Sequence, residues 1–357
     1  MEIKLPSCEE QVKKIKLESF ISELLDAVKY LSIYETKIKE SRVEKIIFLP
    51  SLELQEVVSS LKIEGTHTKI EDYFEEQLID EQGDDSIKEL TNYREALNKG
   101  CRLAIFEGFN HEYFYNIHQL LFKNSKSIKR NSTIGAYKKK NNYIGHDNVH
   151  VYDPPASCET EKYMQDLIDF INKEDINLHP LIKCAIIHAQ FESIHPFEDG
   201  NGRMGRLLIP IYLCQSKLLD APLFYISEAI EKDKYQYYNS LTETRDGDYN
   251  VWIKYFLNKC IIQSKKHIEY MDLINKLYEK TTKKIEEITN SVVSRRLVDS
   301  IFTRPITSSR VMAKDLGVSV SQAKRYLVSL GKAKILFSND KKRNVTYYFG
   351  ELLQIVS

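Results

Sequence analysis

Two apolar stretches flank a polar run near the middle of the chain. In AIIHAQFESI, residues 185–194, apolar residues recur at the spacing of a helix, and MGRLLIPIYLC, residues 204–214, has a similar spacing. We therefore predict two buried helices. The polar residues between them must form the turn that joins these helices.

The remaining pattern is also mainly helical. Residues 1–50 indicate a helical lead-in, with a strand or a helix end before Pro50. Alternating polar and apolar residues around positions 142–151, followed by two prolines, predict a short β-hairpin. Residues 280–302 have the pattern of a charged amphipathic helix. The chain is thus expected to contain little β-structure before its C-terminal part.

The C-terminal part has a different order of elements. After Pro305 the pattern predicts a helix, a turn at Gly317, a second helix capped by Ser319 or Ser321, and two strands around residues 339–340. This order is typical of a winged helix-turn-helix. The predicted fold class is mainly α, with a short hairpin and this C-terminal unit. We expect an N-terminal helical region, a catalytic core, a connecting helix and the C-terminal unit, at residues 1–110, 111–260, 261–303 and 304–357.

The polar turn carries groups suited to phosphate chemistry. Glycines in a turn before a helix expose backbone N–H groups that bind anions, and Arg203 and Arg206 lie three residues apart on one helix face. Asp199 is a carboxylate of the kind that holds Mg²⁺ against phosphates. Histidine is the side chain whose charge ordinarily changes near neutral pH, so His195 suits a general base. The turn therefore predicts a site for a polyphosphate substrate.

The glycines of the turn also match the dinucleotide fingerprint G-x-G-x-x-G. That fingerprint needs a preceding β-strand within a βαβ unit, whereas a helix is predicted before this turn. The sequence does not favour a dinucleotide-binding fold.

The run HPFEDGNGRMGR, His195–Arg206, resembles the signature of the Fic domain family, HPFx[D/E]GNGRxxR, at every defined position. The likeness extends from about residue 50 to about residue 260. It implies a helical Fic fold with a β-hairpin flap. It also implies transfer of AMP from ATP to a Ser, Thr or Tyr hydroxyl of a protein.

The resemblance assigns roles to the residues of the turn. It makes His195 the base that deprotonates the attacking hydroxyl, and Asp199 the ligand of Mg²⁺. Phe197 would anchor the turn in the core. The expected phosphate-binding residues are Asn201, together with the backbone of Gly200 and Gly202, for the α-phosphate, and Arg203 and Arg206 for the β- and γ-phosphates.

A second motif lies well upstream. The run SLKIEG, Ser60–Gly65, fits the family's inhibitory pattern [S/T]xxxE[G/N]. The resemblance implies that Glu64 pairs with Arg206 and keeps this arginine from the γ-phosphate, so the resting enzyme would be weak or silent. In some members the same glutamate orients water that removes AMP from a modified protein. The sequence leaves the direction of the reaction open.

The predicted hairpin corresponds to the family's flap, along which the target segment lies as an added strand. Ile144 and Gly145 match the usual tip of this flap. Lys138 stands where many members have arginine, and two further lysines follow it. The lysine run is either a solvated strand edge or a surface that contacts the target.

Other matching stretches are expected to be structural. His188, two helical turns before His195, is interpreted as a core histidine in preference to a metal ligand. The aromatic residues predicted for the core of the closing helices are Tyr237, Tyr238, Trp252 and Phe256.

Composition restricts the partners. The 51 basic residues balance 51 acidic ones, so no overall field favours nucleic acid or a membrane. Six scattered cysteines without a CxxC pair disfavour zinc and a disulfide framework. No signal peptide or membrane-spanning run is evident. We expect a cytoplasmic protein, either a monomer or a homodimer, that binds ATP and a hydroxyl-bearing target. The target is either another protein or the chain itself.

The C-terminal part leaves two interpretations open. Residues 304–350 contain ten Lys or Arg against two acidic residues, and the expected wing carries Lys341, Lys342 and Arg343. These charges suit DNA, while winged helices also bind proteins. The chain is accordingly either an autoinhibited adenylyltransferase with a C-terminal docking unit or a DNA-binding regulator that uses the Fic domain as a nucleotide sensor. Transfer of another phosphate-containing group is a third alternative.

Overall fold

The computed structural model describes residues 5–41, 45–65, 69–76, 85–125, 128, 132–146, 149–174, 177–245, 247–289, 293–339, 341 and 343–356. Helices α1 to α8 are, in chain order, Cys8–Val12, Ile21–Glu40, Lys45–Ile63, Ile70–Glu76, Asp85–Phe106, His111–Leu121, Thr160–Asn172 and Pro180–Ile194. Helices α9 to α16 are Asn201–Gln215, Ser227–Glu231, Lys234–Arg245, Tyr249–Thr289, Ser294–Thr303, Ser309–Leu316, Val320–Lys332 and Gly350–Val356. Short 3₁₀ turns cover Leu17–Ser19 and Ser157–Glu159.

The described strands are few and short. Strands β1 (Ile144–His146) and β2 (Val149–Tyr152) form the antiparallel hairpin that the alternation predicts, with a bulge between Ile144 and Gly145. Strands β3 to β5 form a second, three-stranded sheet in the order β3–β5–β4, and their bounds are Ile306–Ser308, Phe337–Ser338 and Thr346–Tyr348. The fold is therefore mainly helical, as expected.

The chain divides into two compact units. The first unit contains Met1–Ser32, Ser59–Thr66 and Lys88–Ser264, and the second contains Ile33–Val58, His67–Ile87 and Lys265–Ser357. The four-part division predicted from the sequence stays a prediction.

Helix α8 lies at the centre of the first unit. Every residue from Leu181 to Ile194 is buried, and α8 packs against α9, α7 and α11. The Trp252 indole N–H donates to the Ala185 carbonyl at 2.7 Å, which fixes α12 to the same helix. Nearly all of α9 is buried as well. The turn between two buried helices is thus present as the apolar pattern predicts.

The predicted break before Pro50 is absent, because α3 runs through this proline to Ile63. Proline removes one helical hydrogen bond and crowds the preceding turn. Thirteen helical residues follow Pro50, and most of them are buried, so packing outweighs the local cost.

The second unit contains the C-terminal helices and sheet. Ser308 caps α14, Gly317 ends it in the left-handed conformation, and the Ser319 hydroxyl accepts from the Gln322 N–H at the start of α15. Of the two serines proposed as caps, Ser319 has this role. Strands β4 and β5 form the predicted final hairpin; Asp340 and Lys342 in its turn lie outside the described residues. None of the described helices has a stretch sufficiently long and apolar to span a bilayer.

Candidate active site

The turn between α8 and α9 is constrained at both ends by left-handed backbone. His195 ends α8 with φ 48° and ψ 60°, and its N–H donates to the Phe191 carbonyl at 3.0 Å. Gly200 precedes α9 with φ 78°. A left-handed conformation costs a residue with a side chain about 1–3 kcal/mol and persists where surrounding contacts impose it. The backbone of His195 is therefore held by its neighbours.

Asn201 closes the turn. Its Oδ1 accepts from the Phe197 N–H and its Nδ2 donates to the Phe197 carbonyl, both at 2.8 Å. The Phe197 ring is fully buried, as expected of an anchor. Because both ends of the Asn201 amide bind Phe197, the side chain acts first on the shape of the turn. Its expected contact with an α-phosphate stays a prediction.

His118 is a site residue that the sequence did not reveal. Its ring stacks on Phe197 with centroids 3.8 Å apart. Nδ1 accepts from the Gly135 N–H at 3.1 Å, so the proton lies on Nε2, which donates to the Asp199 carbonyl at 3.0 Å. Burial lowers the His118 pKa to about 4, which keeps the ring neutral. His118 thus joins α6, the segment before the flap and the turn.

Two features of the structure require glycine at position 200. Its φ of 78° lies in the region that glycine adopts most easily, and an added Cβ would lie 2.3 Å from the Phe122 ring. The neighbouring Asp199 is half-buried, and its Oδ1 accepts from the Gly200 N–H at 2.9 Å. This geometry brings the carboxylate to the beginning of α9.

Arg206 is buried and binds Ser60 and Glu64 at the C-terminal end of α3. Its Nη2 lies 2.7 Å from Glu64 Oε1 and 3.1 Å from the Ser60 carbonyl, while its Nε donates to Ser60 Oγ at 2.8 Å. Burial is the largest single effect and lowers the pKa of Arg206, but Glu64, with smaller contributions from Tyr237, Glu192 and Tyr238, outweighs it, so the arginine's pKa is raised. The upstream motif and the turn, 142 residues apart in sequence, therefore meet in one site.

Arg203 approaches the same glutamate from a second direction. Its Nε lies 3.2 Å from Glu64 Oε2, and its guanidinium lies over the Phe122 ring at 4.3 Å from the centroid. Glu64 thus uses one carboxylate oxygen for each arginine. An added Cβ at Gly202 would lie 2.9 Å from Glu64 Oε1, so this glycine leaves room for the carboxylate.

The end of α3 has a further contact in Tyr238. The Tyr238 hydroxyl donates to the Ile63 carbonyl at 3.1 Å, and burial raises the Tyr238 pKa to about 12. Gly65 follows with φ 90°, a left-handed conformation that suits glycine after the end of a helix. Tyr237, by contrast, is a core residue whose hydroxyl lies 2.9 Å from His188 Nε2.

His188 and Glu192 lie behind the arginines on α8. His188 is buried and also bonds the Gly205 carbonyl at 3.0 Å, so its position is that of a core histidine. Glu192 is buried beside Arg206, and its Oε1 accepts no hydrogen bond from the described residues. Burial raises the Glu192 pKa to about 7. A second carboxyl group thus stands close to the arginine that binds Glu64.

One lysine of the run before the flap differs from both expectations. Lys138 is only 3% exposed, so it is neither a solvated edge residue nor a surface contact for a target. Lys139 and Lys140 are exposed. They line a recess of about 380 Å³ together with Thr133, Asn141, Asn142 and Glu198.

The tip of the flap is accessible. Ile144 is half-buried and Gly145 is exposed, and Gly145 pairs with His150 across the hairpin. No metal-binding cluster of three or more His, Cys, Asp or Glu residues occurs in the part of the chain that the structure describes. The arrangement brings together an imidazole, a carboxylate, two arginines and the first turn of a helix.

The same fold is found in known proteins. A Fic family protein from Desulfovibrio desulfuricans G20 superposes with a TM-score of 0.59 at 18% identity, over 93% of this chain and 95% of that one. A Fic domain containing signaling protein from Bacteroides thetaiotaomicron superposes with a TM-score of 0.56 at 19% identity, over 69% and 97% of the two chains. The structure therefore defines a protein of the Fic fold.

Sequence comparison gives the family. A sequence model of the Fic/DOC family matches residues 108–213, and one of the family's N-terminal part matches residues 23–102. Together they match more than half of the chain, which belongs to the Fic/DOC family.

Two curated relatives are similar over parts of their length. The protein adenylyltransferase Fic of Nematostella vectensis is 32% identical over 108 residues, which are 30% of this chain and 24% of that protein. A probable protein adenylyltransferase of Aquifex aeolicus is 25% identical over 192 residues, which are 53% of this chain and 55% of that protein. The similarity thus spans between a quarter and about half of these relatives.

Proposed function

We propose that this protein is an adenylyltransferase that transfers AMP from ATP to a Ser, Thr or Tyr hydroxyl of a protein. The observation that carries the proposal is the convergence of the complete signature turn with Glu64, which contacts both signature arginines. The names of the curated relatives support the same activity.

The start of α9 supplies the phosphate site. The first N–H groups of a helix lack partners within the helix and carry its positive dipole end, so they suit an α-phosphate. Arg203 and Arg206 extend the positive charge from this turn along one face of α9. In the absence of Glu64 they would bind the β- and γ-phosphates as charge-assisted pairs.

Asp199 fits a magnesium ligand. Mg²⁺ in nucleotide sites commonly takes one or two carboxylates together with phosphate oxygens and water, so a single half-buried carboxylate beside the phosphate site is sufficient. The ion would neutralise charge on the phosphates. His118 holds the Asp199 backbone, and the Gly200 N–H orients its carboxylate.

His195 is the proposed base. The target hydroxyl oxygen attacks the α-phosphorus, a phosphorus–oxygen bond forms to the target, and the bond to the β-phosphate oxygen breaks. The hydroxyl proton moves to the His195 imidazole, and pyrophosphate leaves. Positioning and charge neutralisation supply most of the rate in such a transfer, and the base contributes roughly two to four orders of magnitude.

Glu64 is proposed to inhibit this reaction. Arg206 is already paired with Glu64 and bonded to Ser60, so the γ-phosphate would have to displace the carboxylate to reach the guanidinium. The second carboxylate oxygen of Glu64 lies 3.2 Å from Arg203 Nε, so a phosphate would have to displace it there as well. Removal of AMP from a modified protein, with Glu64 orienting water, uses the same arrangement and stays an alternative direction.

The decisive experiment uses ATP labelled at the α-phosphate with Mg²⁺. We expect Glu64→Gln to raise label transfer to protein about 10- to 100-fold over wild type, because the arginines lose a charge-assisted partner. Adding His195→Ala should lower the rate by roughly two to four orders of magnitude. Transfer is scored on the chain itself and on a lysate.

Glu95→Gln is the matched control, because Glu95 is an exposed glutamate of α5 in the first unit. It should behave as wild type. Label from γ-labelled ATP or from another nucleotide in place of α-labelled ATP would show a different transferred group. Silence of Glu64→Gln with every donor, despite tight ATP binding, would favour the nucleotide-sensor alternative.

The flap and the recess beside it are proposed to receive the target. Gly145 at the exposed tip leaves the strand edge accessible for backbone pairing. Lys139 and Lys140 would favour acidic residues in the bound segment. The target is another protein or a second copy of this chain, including one in a homodimer.

Residues 304–357 are proposed to form a winged helix with a separate docking role. The order of β3, α14, α15 and the β4–β5 hairpin supports this assignment. Lys324 and Arg325 are exposed on α15, and Lys341 and Arg343 are exposed in the hairpin turn. This charge favours DNA as the partner, with a protein partner as the alternative. Six free thiols suit a reducing compartment, and we propose the cytoplasm.

A further inference from the structure

Two residues ahead of the flap bind the backbone on both sides of His195. The Lys138 ammonium donates to the Ile194 carbonyl at 3.2 Å, and the Lys138 N–H donates to the Pro196 carbonyl at 2.8 Å. The Asn142 amide donates to the His195 carbonyl at 3.2 Å and to the Phe197 carbonyl at 2.9 Å. Four consecutive carbonyls of the turn are thus held by this pair.

Lys138 and Asn142 also bind each other, with the ammonium 2.9 Å from Asn142 Oδ1. Burial lowers the Lys138 pKa to about 8, which shows that the ammonium lies in a poorly hydrated position. A buried cation is retained where carbonyl oxygens replace its water shell. Here those oxygens belong to Asn142 and to the residue before His195.

These contacts hold the backbone of His195, which has an uncommon conformation. His195 has positive φ although it carries a side chain, and its imidazole direction depends on that backbone. The end of α8 fixes the His195 N–H, but the carbonyl side of the residue faces Asn142. Loss of the clamp would remove the hydrogen bonds that hold the carbonyl side of His195 in this conformation.

We propose that Lys138 and Asn142 are positioning residues that hold His195 in its reactive orientation and connect it to the flap. The proposal rests on the proposed function, because His195 is there the base for the target hydroxyl. Strand β1 begins two residues after Asn142, so one short segment both leads into the flap and holds the base. The phosphate-binding groups on α9 lie outside this clamp.

The test compares Lys138→Met, Lys138→Arg and Asn142→Ala, each in the Glu64→Gln chain, where transfer is measurable. We expect Lys138→Met and Asn142→Ala to lower kcat about 10- to 100-fold, since small displacements of a reacting group have effects of this size. The affinity for ATP, measured by calorimetry, should change less than about threefold, because the arginines keep their positions. Lys138→Arg should recover most of the rate, because it keeps a buried cationic donor.

Lys162→Met is the matched control, an exposed lysine of α7 in the same unit, and it should leave kcat and ATP affinity unchanged. An unchanged kcat in folded Lys138→Met protein would overturn the proposal. An equal loss of kcat and ATP affinity would also overturn it, since the lysine would then support the whole phosphate site.

Hydrogen exchange of the amides of His195 and of residues 197–200 provides a readout that does not depend on activity. The clamp predicts faster exchange in Lys138→Met and Asn142→Ala than in the parent chain, and no change in Lys162→Met. Unchanged exchange would reject the clamp whether or not the enzyme transfers AMP. Faster exchange in a chain without transfer activity would instead leave the clamp standing and reject the proposed function.

Discussion

At the scale of single residues, the site is governed by charged groups that the fold removes from water. Arg206 is 2% exposed and Glu192 is 6% exposed. Arg206 is compensated by Glu64, whereas Glu192 Oε1 accepts no hydrogen bond within the described residues. A buried cation with a removable partner is well suited to a phosphate site, because the incoming phosphate replaces the partner without exposing the arginine.

Glu192 gives a pH-dependent prediction. Burial raises its pKa from an ordinary value near 4.5 to about 7. Between pH 4.5 and pH 7 the folded state binds more protons at Glu192 than the unfolded state does. The stability that the neutral carboxyl group contributes is therefore fully present below pH 4.5 and is lost as the pH rises through 7. We expect Glu192→Gln to gain stability relative to wild type as the pH rises, by about 3 kcal/mol at pH 8.

Urea unfolding at several pH values between 5 and 8 measures this effect. Glu95→Gln, at an exposed position, should follow the wild-type curve throughout. A constant difference between Glu192→Gln and wild type over this range would show that folding does not raise the pKa of Glu192.

At the scale of elements, the turn between α8 and α9 depends on these two buried helices and on a short list of contacts across it. The two helices that flank the turn and the hairpin were predictable, since each follows from a local pattern of apolar residues. The single helix predicted at residues 280–302 was wrong, because α12 ends at Thr289 and α13 begins at Ser294. The predicted break at Pro50 was wrong, because the packing of α3 outweighs the local cost of a proline within the helix. The contacts that His118, Lys138 and Asn142 make with the turn had no local signal in the sequence. Their partners in the turn lie 53 to 81 residues away along the chain.

The turn itself gives a second prediction. Gly200→Ala places a side chain at φ 78° and within 2.3 Å of the Phe122 ring, so we expect a loss of about 2–5 kcal/mol in the free energy of unfolding. Two causes act here, the backbone conformation and the clash, and a double-mutant cycle with Phe122→Leu separates them.

Phe122→Leu removes ring atoms that the new methyl group would meet. The cost of the double variant should therefore be less than the sum of the two single costs, by about 1 kcal/mol or more. Additive costs would show that the ring moves aside and that the backbone conformation alone requires glycine. Urea unfolding of all four chains gives the comparison.

At the scale of the whole molecule, a neutral chain contains a strongly basic part. The 51 basic and 51 acidic residues cancel over the chain, yet residues 304–350 have ten Lys or Arg against two acidic residues. Net charge therefore says little about partners, and the distribution of charge decides which surface attracts a polyanion.

This distribution predicts salt-dependent binding of the 357-residue chain to duplex DNA. Replacing Lys324 and Arg325 by Gln should weaken binding and make the slope of log K against log salt shallower by about 2, one phosphate contact for each cation. Fluorescence anisotropy at several salt concentrations measures the slope.

The matched control replaces Arg102 and Lys162, two exposed cations of the first unit, and should keep the parent slope. An unchanged slope in the Lys324 and Arg325 variant would place the DNA contacts on another surface. Absence of DNA binding by the parent chain would favour a protein partner for the second unit.

The sequence by itself determined the turn, its flanking helices, the hairpin and the caps of the C-terminal helices, because these depend on neighbours in the chain. It also identified Glu64 and Arg206 as partners, through a family pattern. Tertiary structure decided which groups are buried and which carbonyls they meet. Lys138 shows the difference: its sequence context is that of a solvated lysine run, and only the packing of its segment against the turn places the ammonium beside Ile194 and Asn142. Burial depends on residues far apart in the chain, so it became visible only when the chain was folded.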